Sequence, residues 1–489
     1  MQENGMHIVF AASECVPWAK TGGLADVVGA LAPVLVKMGH RVTTFVPYYR
    51  QIAHKQPDLP TVIPSLTMPF TYYQRYARVL DGGVHDGVQM YFIDCPEMFD
   101  RESFYATPGG DYLDNWERFS LFSRAVIEAS KILGVPDVFH AHDWQTAMLP
   151  VYLRSIYYFD PVLRKVPCVL TIHNAGYQGW FPSETVPKLL LPWDMFTFDK
   201  LEMYDQMNFL KGGCVYADAL TTVSQHYAKE IQTSEFGNGL ENVFRSRSND
   251  LYGILNGVDY GEWDPARDGH IAAHYSADNL KGKLGCRRDL LHAYGLDNVG
   301  DETAVIGVVS RFATQKGFDW LAGIMPELVK EDMVLLALGT GEEYYERVFS
   351  ELALKYPDKV RVRIGYDNTM AHKIEAGADI FLMPSRYEPS GLNQMYSLRY
   401  GTIPVVRSTG GLEDTIHEGH EGAGNGFKFH GYNQWDFLDA IRRALATFHN
   451  KKQWQAIMKR GMTEDFSWTK PSEEYVKVYE KVIASRTWS

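Results

Sequence analysis

The sequence predicts an α/β protein of two doubly wound halves, each a parallel sheet with helices on both faces, followed by a closing C-terminal helix. Three observations carry that expectation. Short apolar runs alternate with helical stretches twice over, once in each half of the chain. The motif Thr-Gly-Gly-Leu-x-Asp stands at 21–26 and again at 409–414, each time between an apolar run and a helical stretch. A length of 489 residues is too much for one ordinary core.

The first half opens with the strand HIVFAA at 7–12 and a helix over 27–38, then a strand RVTTFV at 41–46. An irregular region rich in Tyr and Gly leads to the strand VQMYFID at 88–94. A helix over 115–133 precedes the strands VFHAH at 138–142 and VLTIH at 169–173. Ligands bind such sheets beyond the carboxyl ends of the strands. Glu14, Lys20, His142, Asp143, His173 and Asn174 fall there.

The second half runs through AVIGVVS at 304–310, VLLALG at 334–339, VRVRIG at 360–365, IFLMP at 380–384 and IPVV at 403–406. Between the halves, ILNGVDYGEWDP at 254–265 has the turn chemistry of a linker, with a hinge expected near Trp263. The expected boundaries are 1–262, 263–465 and a final segment 466–489, whose helix over 466–483 starts at Pro471 and Ser472.

Composition narrows the function. With 48 basic against 60 acidic residues, the net charge of -12 repels a polyphosphate backbone, so nucleic acid is not an expected partner. A small anion remains compatible, because local Lys and Arg outweigh distant charge. The five cysteines are scattered and never spaced C-x-x-C, which fits a reducing compartment without disulfides or a zinc site. No apolar run reaches membrane-spanning length, and the polar N-terminus is expected to leave no room for a signal peptide. A cytoplasmic location follows, or a plastid if a transit peptide has been removed.

Each Gly-Gly turn is a candidate anion site, since glycine admits a ligand close to the backbone and a helix N-terminus presents unpaired N–H groups. Two ordinary strand-to-helix turns are the plain alternative. Arg311 and Lys316, in the segment SRFATQKG at 310–317, put two cations at a strand end, where they suit a pyrophosphate or form a solvated basic turn. Glu388, in RYEPSGL at 386–392, offers a carboxylate to a sugar hydroxyl or caps a helix. Tyr366 stacks on a base or packs in a core. Neither a P-loop nor G-x-G-x-x-G is present, so ATP hydrolysis and NAD chemistry lack support. His140 and His142 share one strand face, yet no third ligand stands at metal spacing, and metal is the weaker reading. With Trp144, Tyr177 and Trp180 nearby in sequence, the imidazoles and amides suit a carbohydrate instead.

Taken in order, KTGGLAD at 20–26, HAHDW at 140–144, His173-Asn174, NGVD at 256–259, SRF and QKG at 310–317, EPSGL at 388–392 and STGGL at 408–412 resemble the bacterial glycogen synthase and plant starch synthase family. The resemblance runs from about His7 to Trp468. It implies a GT-B glycosyltransferase: two Rossmann-like domains facing across a cleft, with a C-terminal helix crossing back to the first. The implied reaction transfers glucose from ADP-glucose to the non-reducing end of an α-1,4-glucan, glycogen or starch, with retention of configuration.

The resemblance also implies roles. Lys20, Gly22, Gly23 and Asp26 of the first turn, Arg311 and Lys316, the loop Ser390, Gly391 and Leu392, and Thr409 would bind the nucleotide sugar. Tyr366 would stack on adenine and Glu388 would hold glucose hydroxyls. His173, Asn174 and Asn256 would face the sugar, with Glu14 and Asp143 near the acceptor. The chemistry would rest on His173, Arg311, Lys316 and Glu388, with no metal and no cofactor, since Arg and Lys stabilise the leaving ADP as preorganised charge.

Two positions depart from the family pattern. Ser390 stands where many members have Cys, and Tyr396 stands where related retaining transferases often place a second Glu. A two-glutamate mechanism is therefore not assigned, and a front-face reaction is the expectation. The alternatives are a UDP-glucose transferase, another GT-B enzyme such as a phosphorylase, and a non-catalytic glucan-binding protein on the same fold. Binding glucan alone would need no diphosphate grip.

Overall fold

The computed structural model describes residues 5–107, 109–419 and 423–487. The chain divides into two compact units, Met1–Gly257 with Trp468–Ser489, and Val258–Ser467.

The first unit is built on a nine-stranded sheet in the order Leu251–Gly253, Ala219–Thr222, Cys168–Ile172, Val138–His142, His7–Ala11, Arg41–Pro47, Val88–Asp94, Gln74–His85 and Thr61–Pro69. The first seven of these pair in parallel; the last two are an antiparallel extension. From His7–Ala11 the chain adds Arg41–Pro47, runs to the edge strand Thr61–Pro69 and comes back inward to Val88–Asp94, then crosses to place Val138–His142 on the other side of His7–Ala11. The switch point therefore lies between these two strands, where α/β sheets open a crevice at their carboxyl ends.

The helix after His7–Ala11 is Gly23–Lys37, opening at the second glycine of the turn, four residues before its expected start. Leu24, Val27, Val28, Leu31 and Leu35 are buried at helical spacing, so one apolar stripe lies on the sheet. It ends in a Schellman arrangement: Gly39 at φ +95° donates to the Val36 carbonyl, and His40 to that of Leu35. The C-terminal helix, Thr469–Thr487, belongs to this unit and starts two residues before Pro471. Its Tyr475 and Tyr479 are buried in the first core, and Arg486 pairs with Asp218.

The second unit carries a six-stranded, wholly parallel sheet in the order Val360–Ile364, Met333–Gly339, Ala304–Val309, Ile380–Met383, Ile403–Arg407 and Phe427–Phe429. Its switch point lies between Ala304–Val309 and Ile380–Met383. Trp263, expected at a hinge, is held inside this unit. Its ring stacks on His372 at 3.8 Å and on Tyr396 at 4.0 Å, and the passage between units falls at Gly257–Val258.

The region read as irregular before Val88 is the hairpin Thr61–Pro69 and Gln74–His85. Register shifts interrupt its pairing, which breaks the strict alternation by which a half-buried strand is read from sequence.

Candidate functional site

In the first unit, the segment after His7–Ala11 doubles back on itself. The Glu14 carboxylate, 4% exposed as a residue, accepts from the backbone N–H groups of Thr21 and Gly22, from Thr21 Oγ1 at 2.6 Å, and from the Tyr105 hydroxyl at 2.6 Å. Lys20 Nζ donates to Asp26 Oδ1 at 2.7 Å. Burial pushes the Asp26 carboxyl above its usual range, against the opposing pull of Lys20. Among the described residues nothing accepts from the Gly23 N–H. A Cβ built on Gly22 or Gly23 would meet no atom within 4 Å. These glycines leave space that the fold does not fill.

On the other side of the switch point, Asp143 follows Val138–His142 with φ +58°, a conformation rarely taken by a residue with a side chain. Its Oδ1 accepts from His173 N at 2.6 Å and Asn174 N at 3.4 Å, so one carboxylate ties together the ends of two neighbouring strands. Burial raises the Asp143 carboxyl to about 7, despite those two backbone donors. Asn174 Oδ1 accepts from Gly176 N. Asn256 is buried, and its Oδ1 has no partner among the described residues.

The histidines form a chain. Tyr479 of the C-terminal helix lies 2.8 Å from His140 Nδ1, whose Nε2 meets Thr171 Oγ1 at 2.6 Å; His142 Nδ1 meets His173 Nε2 at 3.0 Å. Burial lowers His140 and His173 to about 3 and His142 well below its usual value, so all three rings are neutral near pH 7. Among the described residues no three His, Cys, Asp or Glu side chains are placed to hold a metal ion.

The second unit gathers a different set at its switch point. Lys316 Nζ donates to Glu388 Oε2 at 2.6 Å, and Ser385 Oγ donates to the same oxygen at 2.8 Å. Glu388 is only 7% exposed. Arg311 is exposed and donates to Gln315 Oε1 at 3.0 Å. Among the described residues nothing accepts from the backbone N–H groups of Ser390, Gly391 and Leu392. Gly391 has φ +66°, so the turn that presents these groups demands a residue without a side chain. Tyr366 is 79% exposed, its hydroxyl 3.2 Å from Asn368 Oδ1, so core packing does not account for it.

The second Thr-Gly-Gly turn differs from the first. It opens a helix of six residues, Gly410–Thr415, and Gly411 N–H donates to the carbonyls of Glu388 and Pro389. A Cβ on Gly410 would lie 2.0 Å from the Glu388 oxygen, and one on Gly411 1.9 Å from the Ser390 oxygen. Thr409 and its glycines thus brace the 388–391 loop. Sequence reasoning missed Tyr105, Thr21 and Ser385 as partners of the site carboxylates. Ser385 had a signal in its place three residues before Glu388, whereas Tyr105 is 91 residues from Glu14 and had none.

Tyr396, at the position of the second glutamate in related transferases, is 9% exposed and lies flat on Trp263, with 2° between the ring planes. It is an aromatic packing position in this chain.

Residues 7–246 match the starch synthase catalytic domain family, and residues 297–459 match glycosyl transferases group 1. The glycogen synthase of Koribacter versatilis (strain Ellin345) is 55% identical, over 97% of this chain and 98% of that protein. The glycogen synthase of Myxococcus xanthus (strain DK1622) is 43% identical, over 98% of this chain and all of that protein. The catalytic domain of starch synthase IV from Arabidopsis thaliana, solved bound to ADP and acarbose, matches with a TM-score of 0.89 at 30% identity, covering 98% of this chain and 100% of that one. A sucrose-phosphate synthase from Thermosynechococcus elongatus, at 15% identity and a TM-score of 0.61, shares the fold. Two parallel α/β units with these neighbours are the GT-B architecture. The chain belongs to the glycogen synthase and starch synthase family of glycosyltransferases.

Proposed function

We propose that the protein transfers glucose from ADP-glucose to the non-reducing end of an α-1,4-glucan, with retention at the anomeric carbon. The observation that carries this reading is the Lys316–Glu388 pair at the switch point of the second unit, with Arg311 exposed on the same strand end. Cations suit a diphosphate leaving group, and a carboxylate beside them suits sugar hydroxyls. The amides of Ser390, Gly391 and Leu392 add donors for phosphate oxygens, and Tyr366 offers an exposed ring to the base. In the first unit Lys20 and Gly23 take the same kind of anion, while His173, Asn174, Asn256 and Asp143 take sugar hydroxyls.

The ADP found with the Arabidopsis starch synthase IV domain supports adenine over uracil as the donor base. Lys20, Arg311 and Lys316 supply the positive charge a divalent metal supplies elsewhere, so the reading includes no metal. It places the enzyme in the cytoplasm, with glycogen or starch as the polymer. No helix among the described residues is long and apolar enough to cross a membrane. Glucose incorporation into glycogen from ADP-glucose and UDP-glucose, measured side by side, tests the reading. Efficient transfer from ADP-glucose alone supports it, preference for UDP-glucose overturns the donor assignment, and glucan binding without transfer overturns the activity.

A further inference from the structure

Glu14 lies beside the first Gly-Gly turn, and the family resemblance implies that it faces the acceptor. Its bonding points elsewhere. An ionised carboxylate offers about four acceptor positions on its two oxygens. Glu14 has four donors on it: Thr21 N and Gly22 N on Oε2, Thr21 Oγ1 and the Tyr105 hydroxyl on Oε1. Every acceptor position is therefore occupied within the first unit, leaving none for a glucan hydroxyl.

What these bonds achieve is local. Thr21 and Gly22 are the exposed residues that lead into the helix Gly23–Lys37, and nothing packs around them within reach of a side chain at Gly22 or Gly23. A turn without packing keeps its shape only through hydrogen bonds, and Glu14 accepts three from it. The carboxylate also lies at a helix N-terminus, where negative charge is favoured. Tyr105 arrives from a distant loop and fixes the carboxylate from behind, with its hydroxyl also 2.8 Å from Ser13 Oγ.

We infer that Glu14 is a positioning residue: with Tyr105 it holds the 20–23 turn in the shape that presents Lys20 and the Gly23 N–H to the donor diphosphate, and it does not touch the glucan. The inference rests on the reading that this turn meets the donor.

The experiment compares the full-length wild-type chain with Glu14→Gln and Tyr105→Phe. Glu14→Gln keeps the size of the side chain, removes its charge and turns one accepting oxygen into an N–H₂ that cannot accept a hydrogen bond. Hydrogen exchange over the peptide containing 20–24 should quicken in Glu14→Gln by about tenfold or more, the scale of one lost hydrogen bond to a charged group. KM for ADP-glucose should rise by a similar factor while KM for glycogen stays within about twofold. Tyr105→Phe removes one of the four donors and should give a smaller change in the same direction, so the test survives if Glu14→Gln folds poorly. A rise in the glycogen KM with the donor KM unchanged would show that Glu14 touches the acceptor and overturn the inference. So would unchanged exchange at 20–24 in both variants. If the wild-type chain transfers glucose from no nucleotide sugar, the functional reading fails on that result alone, and the exchange measurement still decides whether Glu14 holds the turn.

Discussion

Lys316 Nζ donates to Glu388 Oε2 at 2.6 Å, joining the loop after Ala304–Val309 to the loop after Ile380–Met383. The two strands are neighbours on either side of the switch point, so the pair spans the crevice where α/β sheets bind ligands. Arg311 stands on the same strand end but is exposed and bonded only to Gln315 among the described residues. The two cations should therefore behave differently when removed.

Arg311→Ala and Lys316→Ala should each slow glucose transfer by about 10²–10³, roughly 3–4 kcal/mol, by comparison with the loss of one preorganised oxyanion donor. Arg311→Ala should leave stability within about 0.5 kcal/mol of wild type, as exposed substitutions usually do. Lys316→Ala leaves the buried Glu388 with Ser385 alone and should cost about 1–3 kcal/mol. Denaturant melts beside initial rates separate the two effects. Near-normal turnover in either variant removes that residue from the diphosphate grip.

The two Thr-Gly-Gly turns read alike in sequence and do unlike work. Gly22→Ala and Gly23→Ala meet no atom within 4 Å, so the fold should tolerate both, and ADP-glucose KM should rise as the added methyl fills the ligand's space. Gly410→Ala and Gly411→Ala drive a methyl against the carbonyls of Glu388 and Ser390 and should destabilise by about 2–3 kcal/mol. Thermal unfolding of the four variants checks this. Equal destabilisation in all four would remove the distinction.

This contrast marks the limit of what the sequence makes legible. Alternation of apolar runs with helices was enough to expect both parallel sheets, because strands buried on both faces are continuous apolar segments. Lys20, Asp143, His173, Arg311, Lys316 and Glu388 were legible as strand-end residues for the same reason. Which amides a turn still has available is set by partners outside the turn itself. Glu14 takes the Thr21 and Gly22 amides, and the Glu388 and Pro389 carbonyls take that of Gly411. The partners of Trp263 were likewise not legible: linker-like turn residues surround it, but its ring finds His372 and Tyr396 more than a hundred positions later.

Asp143 gives the protein a pH signature. Its folded carboxyl titrates near 7, raised by burial from about 3.9 in an unfolded chain. The folded state holds this proton more tightly, so the group's contribution is most favourable at low pH and is lost as pH rises from about 4 to 7. Asp143→Asn keeps an oxygen for the His173 and Asn174 amides and removes the charge. Relative to wild type it should gain stability across that window, by an upper limit of roughly 4 kcal/mol, and hold the gain above pH 7. Chemical denaturation of both proteins at pH 5 and pH 8 measures this. A gain that is the same at both values would place the Asp143 titration outside the window.

Positive charge from Lys20, Arg311 and Lys316 should make a divalent ion unnecessary. Transfer from ADP-glucose should keep its rate after exhaustive dialysis against EDTA. Activity lost to the chelator and restored by Mg²⁺ or Mn²⁺ would reverse the assignment of diphosphate neutralisation to these side chains.

His173 separates two mechanisms. It follows Cys168–Ile172, its backbone N–H is held by Asp143 Oδ1, and its ring is held through Nε2 by His142. Removing the ring leaves the Asp143 bond in place, so the backbone carbonyl keeps its position. A covalent histidine intermediate needs the ring, whereas a front-face reaction needs only polar groups around the developing oxocarbenium, with the ring holding a glucose hydroxyl. His173→Ala should therefore lower turnover strongly, on the order of 10²-fold, the low end of what a positioned catalytic group contributes. Measurable transfer should survive, and the product should keep the α configuration, because the carbonyl and the cations on the diphosphate remain. The anomeric configuration of newly added glucose is read by NMR. A glucosyl adduct on His173 in the wild-type protein, or inverted product, would replace the front-face mechanism; wild-type turnover in the alanine variant would take His173 out of the site.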